Sequence, residues 1–140
     1  LTKLGCHIDV TAFPIEDGDG AISAADALRE YLASDLPGNL ISVSSDGGGC
    51  LPVFDEQGRM VKYDVGTSAS LLEALNDLTG SGVALDCALP AFTSNPAEHL
   101  RLGGKGRIAV GYDADLVVLD DDGSVASVFT AAETHYKNKN

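Results

Sequence analysis

Leu40-Ile41-Ser42-Val43-Ser44-Ser45-Asp46-Gly47-Gly48-Gly49-Cys50 is the segment from which the architecture of this chain follows. Its first five residues form a short apolar run with β-branched side chains, the composition of a strand buried in a parallel sheet. The run ends in an acidic residue and three glycines, which is turn chemistry. In α/β barrels the catalytic groups sit at the C-terminal ends of the strands. A carboxylate there can bind a metal or move a proton, and glycines let a ligand approach the backbone closely. Read alone, Asp46 is more simply a turn cap, as Asp beside Gly often is.

Upstream, Cys6-His7-Ile8-Asp9-Val10-Thr11 alternates apolar with polar residues, the period of a strand with one buried face. A loop over Pro14 to Gly20 follows. Ser23 stands three residues before Asp26 in a capping-box pattern, and Ala25, Leu28 and Leu32 then recur at helical spacing until Pro37-Gly38. The order is strand, helix, strand, the repeating unit of α/β folds, because parallel neighbours need a crossover connection, and a barrel and a doubly wound sheet both fit it.

Downstream, the residues from Val53 to Val61 read as a small hairpin turning near Gln57-Gly58. Leu71, Leu75 and Leu78 mark an amphipathic helix ended by Gly80 and Gly82, and a further helix through Leu85, Ala88, Leu89 and Phe92 is limited by Pro90. Asn95 reads as an N-cap, with Pro96 first and Glu98 third in a helix reaching Leu102 before Gly103-Gly104. The tail holds two strand-like runs, 114–119 and 124–129, around Asp122-Gly123, where a type I′ turn is expected. A hairpin alone is marginal, so these strands should join a larger sheet. The expected domains are 1–104 and 105–140, with Lys137 to Asn140 as a frayed end.

The net charge of −12, from 21 acidic against 9 basic residues, sets a field that repels phosphate backbones and anionic headgroups. Neither nucleic acid nor a membrane surface is an expected partner. No apolar run approaches the ~20 residues of a membrane span, and no signal peptide is legible, so a cytoplasmic protein is expected. The chain opens Leu1-Thr2-Lys3-Leu4-Gly5 and enters a strand-like stretch at once, as a cut through a larger protein would. Three widely spaced cysteines make no disulfide framework. Cys6 and Cys87 are expected to be small buried hydrophobes. Cys50, after three glycines, is the interesting one.

Several of these segments occur in the same order in the C-terminal part of the amidohydrolases. They are Ser44-Ser45-Asp46-Gly47-Gly48-Gly49, Pro52-Val53-Phe54-Asp55 with Gly58, Thr93-Ser94-Asn95-Pro96-Ala97, and Gly104-Lys105-Gly106-Arg107-Ile108 leading into Gly111-Tyr112-Asp113-Ala114-Asp115-Leu116-Val117-Val118-Leu119. The chain resembles that superfamily from about Ile8 to its end. The Ser-Ser-Asp-Gly turn with its trailing Phe-Asp-x-x-Gly hairpin looks more narrowly like the isoaspartyl (β-aspartyl) dipeptidases. The resemblance implies an α/β fold comprising the C-terminal part of a (β/α)8 barrel, strands seven and eight, and returning strands of a small β-sandwich. It implies that Asp46 is the strand-eight ligand of a binuclear zinc centre and the proton shuttle. A serine usually follows this aspartate by four residues and helps hold the substrate carboxylate; here Cys50 stands there. A thiol is a weaker donor than a hydroxyl, so either the backbone N–H groups of Gly49 and Cys50 do the holding or the substrate preference differs.

The resemblance further implies a small dipeptide substrate and a homo-oligomeric full-length protein. The His-x-His pair, the carbamylated lysine and the other histidine ligands belong to earlier strands, so this stretch by itself should be inactive and marginally folded. A dihydroorotase- or hydantoinase-like cyclic amidase and a non-catalytic α/β domain are the alternatives. His7 and Asp9 form a His-x-Asp pair on one strand face, but they fall in the segment resembling strand seven, so His7 is expected to be structural, with Asp9 and Thr11 at the pocket mouth. His99 and His135 lack partners at ligand spacing. Asp120-Asp121-Asp122 reads as a hairpin tip and not a calcium loop, lacking spaced oxygen ligands and a terminal Glu.

Overall fold

The computed structural model describes residues 1–15, 21–131 and 133–138, which form two compact units, Leu1–Phe92 and Thr93–Asn140. In the first, β1 (Ile8–Thr11) and β2 (Ile41–Ser44) pair in parallel, Ile8 opposite Ile41 and Thr11 opposite Ser44. The crossover between them contains α1 (Ala24–Leu32), as the sequence order requires. Most of the expected loop Pro14 to Gly20 lies outside the described residues.

Helix α1 starts where the capping pattern predicts. The Ser23 Oγ accepts the Asp26 N–H at 3.0 Å and donates to the Asp26 carboxylate at 2.8 Å. At the far end the Tyr31 hydroxyl donates to the Pro37 carbonyl at 2.8 Å, tying the helix to the turn that leads into β2. Leu28 is fully buried, as is Leu78 of α2 (Ala69–Gly80). With Ala12, Ile41, Val43, Ala74, Leu75, Ala88 and Ala91 they make one core. Pro90 acts as expected: α3 (Leu85–Ala88) continues only as a 3₁₀ turn over Leu89–Phe92.

Strands β3 (Cys50–Phe54) and β4 (Met60–Val65) form the expected antiparallel hairpin. At its tip Gly58 adopts φ 75° and its N–H donates to the Asp55 carbonyl at 2.8 Å, while the Asp55 N–H donates to the Arg59 carbonyl at 2.9 Å. The Asp55 carboxylate accepts the Gln57 and Arg59 N–H groups and pairs with the Arg59 guanidinium at 2.8 Å. Hydrogen bonding from the Arg59 backbone, above all, holds that carboxyl below its usual pKa.

In the second unit β5 (Leu116–Leu119), β6 (Val125–Thr130) and β7 (Glu133–Lys137) form one antiparallel sheet. The turn between β5 and β6 repeats the Asp55–Arg59 pattern: Gly123 N–H to the Asp120 carbonyl, Asp120 N–H to the Ser124 carbonyl, both at 2.9 Å. The expected type I′ turn is therefore wrong. Only Gly123, and not Asp122, has positive φ, and the extra residue is absorbed by a register shift between Val118 and Leu119. The third strand, Glu-Thr-His-Tyr-Lys, is too polar to announce itself. It includes Lys137, which pairs with Ser127, and the Asn138 N–H donates to the Ala126 carbonyl at 2.8 Å, so the expected fraying is absent at these two residues; residues 139 and 140 lie outside the described residues.

Two further expectations are corrected. Helix α4 runs Ser94–His99 with Thr93 at the N-cap position, and Asn95 is a buried residue inside it. Leu102 lies beyond the helix, which ends through Arg101 at φ 57°. The glycine run after α4 folds back on that helix: a Cβ on Gly106 would strike Ala97 and the Thr93 carbonyl. Finally, Cys6 and Cys87 are exposed, not buried. Cys6 precedes β1, and Cys87 lies on the outward side of a single-turn helix whose buried residue is Ala88.

Candidate active site

Parallel pairing sends the C-terminal ends of β1 and β2 to the same edge, and both strands put polar residues on one face. The Asp9 carboxylate accepts the Ser42 and Ser44 hydroxyls, one on each oxygen, both at 2.5 Å, and the Ser42 Oγ lies 2.9 Å from His7 Nε2. His7 is thus a strand-to-strand contact, as expected, while exposed Asp9 cross-links the two strand ends. The serines of this lattice were not singled out from the sequence. Their signal was the alternation Ile41-Ser42-Val43-Ser44, matched to Ile8-Asp9-Val10-Thr11 in register.

Beyond Ser44 the chain turns out of the sheet. Asp46 has φ 47°, a left-handed conformation that Asp tolerates better than most residues. Its side chain is exposed and makes no hydrogen bond or ion pair among the described residues. The turn is closed by its own backbone. The Gly49 N–H donates to the Asp46 carbonyl at 2.8 Å, the Gly48 N–H to Gly66 at 2.8 Å, and the Gly66 N–H to Gly49 at 3.1 Å. The last two bonds extend the β3–β4 ladder, in which Cys50 pairs with Val65, into the Asp46 turn. Of the two backbone donors expected to hold a substrate carboxylate, that of Gly49 is therefore engaged within the turn. Cys50 is exposed at the start of β3. Gly66, an isolated glycine between β4 and α2, was not foreseen as part of this turn.

Other candidates lie apart. A cavity of about 270 Å³ in the second unit is lined by Ser94, Glu98, Arg101, Lys105, Arg107 and Tyr112 among others, and contains none of the expected site residues. Its cations are largely matched: Lys105 pairs with Asp113 at 2.9 Å and with Asp115, and Arg107 with Glu98 at 3.1 Å. Hydrogen bonding to Asp115, then to Asp113, raises the Lys105 pKa, and Lys105 in turn lowers that of Asp115. This is a self-neutralised structural cluster. His99, His135 and the Asp120–Asp122 tip are exposed, the last as expected for a solvated hairpin end.

No group of three or more His, Cys, Asp or Glu side chains that could hold a metal occurs among the described residues. A zinc centre takes about four ligands. Asp46 offers a carboxylate oxygen of suitable chemistry, one donor of such a set, and the described residues do not complete it. No helix among them is long and apolar enough to cross a membrane.

The fold is similar to that of several solved proteins. A β-aspartyl dipeptidase from Fervidobacterium islandicum AW-1, solved with β-Asp-Leu dipeptide, is 33% identical with a TM-score of 0.84, over 99% of this chain and 36% of that one. A second structure of β-aspartyl dipeptidase from the same organism gives 29% identity and a TM-score of 0.76, over 99% and 35%. N-acetylglucosamine-6-phosphate deacetylase from Pasteurella multocida, at 17% identity and a TM-score of 0.64 over 94% and 37%, shares the fold. The chain thus spans about a third of the length of these proteins, and its α/β arrangement is that of part of an amidohydrolase barrel, with no barrel closed among the described residues. The model of the amidohydrolase family matches residues 18–135, most of the sequence, and the chain belongs to that family.

Proposed function

We propose that the full-length protein hydrolyses the isopeptide bond of β-aspartyl dipeptides, with Asp46 as a zinc ligand and proton carrier. The observation that carries this reading is the exposed Asp46 carboxylate, without a protein partner among the described residues, at the C-terminal end of a parallel strand. The likeness to a dipeptidase solved with β-Asp-Leu supports the choice of substrate.

Bound zinc supplies acidification of a water molecule to a pKa of roughly 7. The chain's own residues do the rest. The Asp46 carboxylate, which would be one of the residues holding that zinc, accepts a proton from the water that attacks the isopeptide carbonyl. It then delivers the proton to the departing α-amine, so that the C–N bond breaks with a neutral leaving group. Cys50, at the start of β3, helps hold a substrate carboxylate, weakly through its thiol. Gly49 contributes by lacking a side chain beside Asp46. The protein is proposed to work as a homo-oligomer in the cytoplasm.

Asp46→Asn in the full-length protein tests this. Turnover of β-Asp-Leu should fall by about 10²–10⁴-fold, the usual worth of a positioned acid–base group, and bound zinc per protomer should drop. Unchanged rate and zinc content would overturn the reading. Turnover of hydantoin or dihydroorotate by the unaltered protein, with the dipeptide left intact, would move it to the cyclic amidases.

A further inference from the structure

We infer that Gly66 is a positioning residue for Asp46, acting with Gly49, which rests on the reading of Asp46 given above. Glycines usually occur in turns because the backbone needs positive φ. Around Asp46 that explains Gly48, at φ 82°, but neither Gly49 nor Gly66, whose φ values lie outside that region. What crowds a side chain at those two positions is Asp46 itself, through its backbone at Gly66 and through its carboxylate at Gly49. A Cβ on Gly66 would press into the Asp46 carbonyl oxygen and stand 3.0 Å from its carbonyl carbon and 3.1 Å from the Ser45 oxygen. These are backbone atoms, which cannot swing aside. A Cβ on Gly49 would stand 2.5–2.6 Å from the Asp46 carboxyl atoms.

Asp46 is therefore bracketed: its peptide rests on Gly66, its carboxylate lies over Gly49, and its carbonyl accepts the Gly49 N–H at 2.8 Å. Gly49 and Gly66 are themselves bonded, at 3.1 Å, across the open end of the β3–β4 hairpin. The hairpin thus fixes the backbone from which the carboxylate projects, and a left-handed φ of 47° is held at Asp46 by contacts on two sides. A misplacement of about 1 Å can lower a rate by as much as about 10²-fold, so this bracket bears on turnover and not on substrate affinity.

The test uses Gly66→Ala, Gly49→Ala, Asp46→Gly and Gly66→Ala/Asp46→Gly in the full-length protein, with Gly80→Ala as control, since nothing lies within 4 Å of a Cβ there. In Gly66→Ala, kcat on β-Asp-Leu should fall at least about tenfold with KM within about twofold, and Gly80→Ala should change neither. Gly49→Ala displaces only the end of a side chain, so it should fold and still lose at least about tenfold in kcat. The drop in thermal midpoint caused by Gly66→Ala should shrink by roughly half when residue 46 is glycine, which can adopt another φ. That coupling needs no turnover, so it still decides the matter if Asp46→Asn leaves the rate intact and the hydrolase reading fails. An equal midpoint drop in both backgrounds, or wild-type kcat in Gly49→Ala, would overturn the inference.

Discussion

Replacing Leu28 with alanine removes the side chain by which the crossover helix α1 is anchored in the core. Leu28 is 0% exposed and shares its cluster with Ile41 and Val43 of β2 and Leu75 and Leu78 of α2. Loss of three carbon groups from such a site forfeits about 2.4 kcal/mol of transfer free energy at ~0.8 kcal/mol each. A cavity term adds to this, because surroundings contributed by strands and two helices relax only in part, and the total should reach about 3–5 kcal/mol. Leu32, at the exposed end of the same helix and only partly buried, should lose less than half of that when changed to alanine. Equilibrium urea unfolding is the assay. The midpoint for Leu28→Ala should fall by about 1–3 M with an unchanged slope. In the full-length protein, at temperatures where the variant is still folded, the proposed turnover should persist, since α1 sets the β1–β2 frame but contributes no group to the Asp46 turn. A loss below about 1 kcal/mol, or equal losses at 28 and 32, would refute the packing argument.

Two further outcomes follow from the hairpin tip and the ion cluster. Gly58 has φ 75° with open space around it, so Gly58→Ala should cost about 1–2 kcal/mol from backbone strain alone, and Gly58→Asn should recover part of the loss in the same urea assay. Asp115 has its pKa lowered from 3.8 chiefly by the Lys105 hydrogen bond, so its contribution to stability is present above that value and is lost as pH falls through the lower folded value. The thermal midpoint of the protein should therefore decline on acidification below about pH 4, and Lys105→Met should lower the midpoint at neutral pH while flattening that decline. Parallel curves for the two proteins would show that the pair contributes nothing to folding.

What was legible in the sequence was what is local. Alternation in Cys6–Thr11, helical spacing of Leu28 and Leu32 and of Leu71, Leu75 and Leu78, the Ser23 cap and the glycines at 58 and 123 each constrain a few neighbouring residues. Each led to an element that the structure contains. Asp46 stood out because a strand composition gave way to turn composition, and parallel pairing of β1 with β2 puts that junction at a strand end. Where reading failed locally, burial decided: Asn95 had the chemistry of a cap yet lies inside α4, and Cys6 and Cys87 had apolar neighbours yet face outward.

Sequence by itself determined the order of the strands and helices up to β6, most of the faces they bury and the family to which they point, because periodicity and turn chemistry are properties of adjacent residues. Only the tertiary structure decided that Asp9 meets Ser42 and Ser44 across more than thirty residues, and that Gly66 supports Asp46 from the far end of a hairpin. Such contacts depend on the register between strands and on the absence of a side chain at one point. Alternation along each strand marks the face, but neither the register nor the gap is written in adjacent residues.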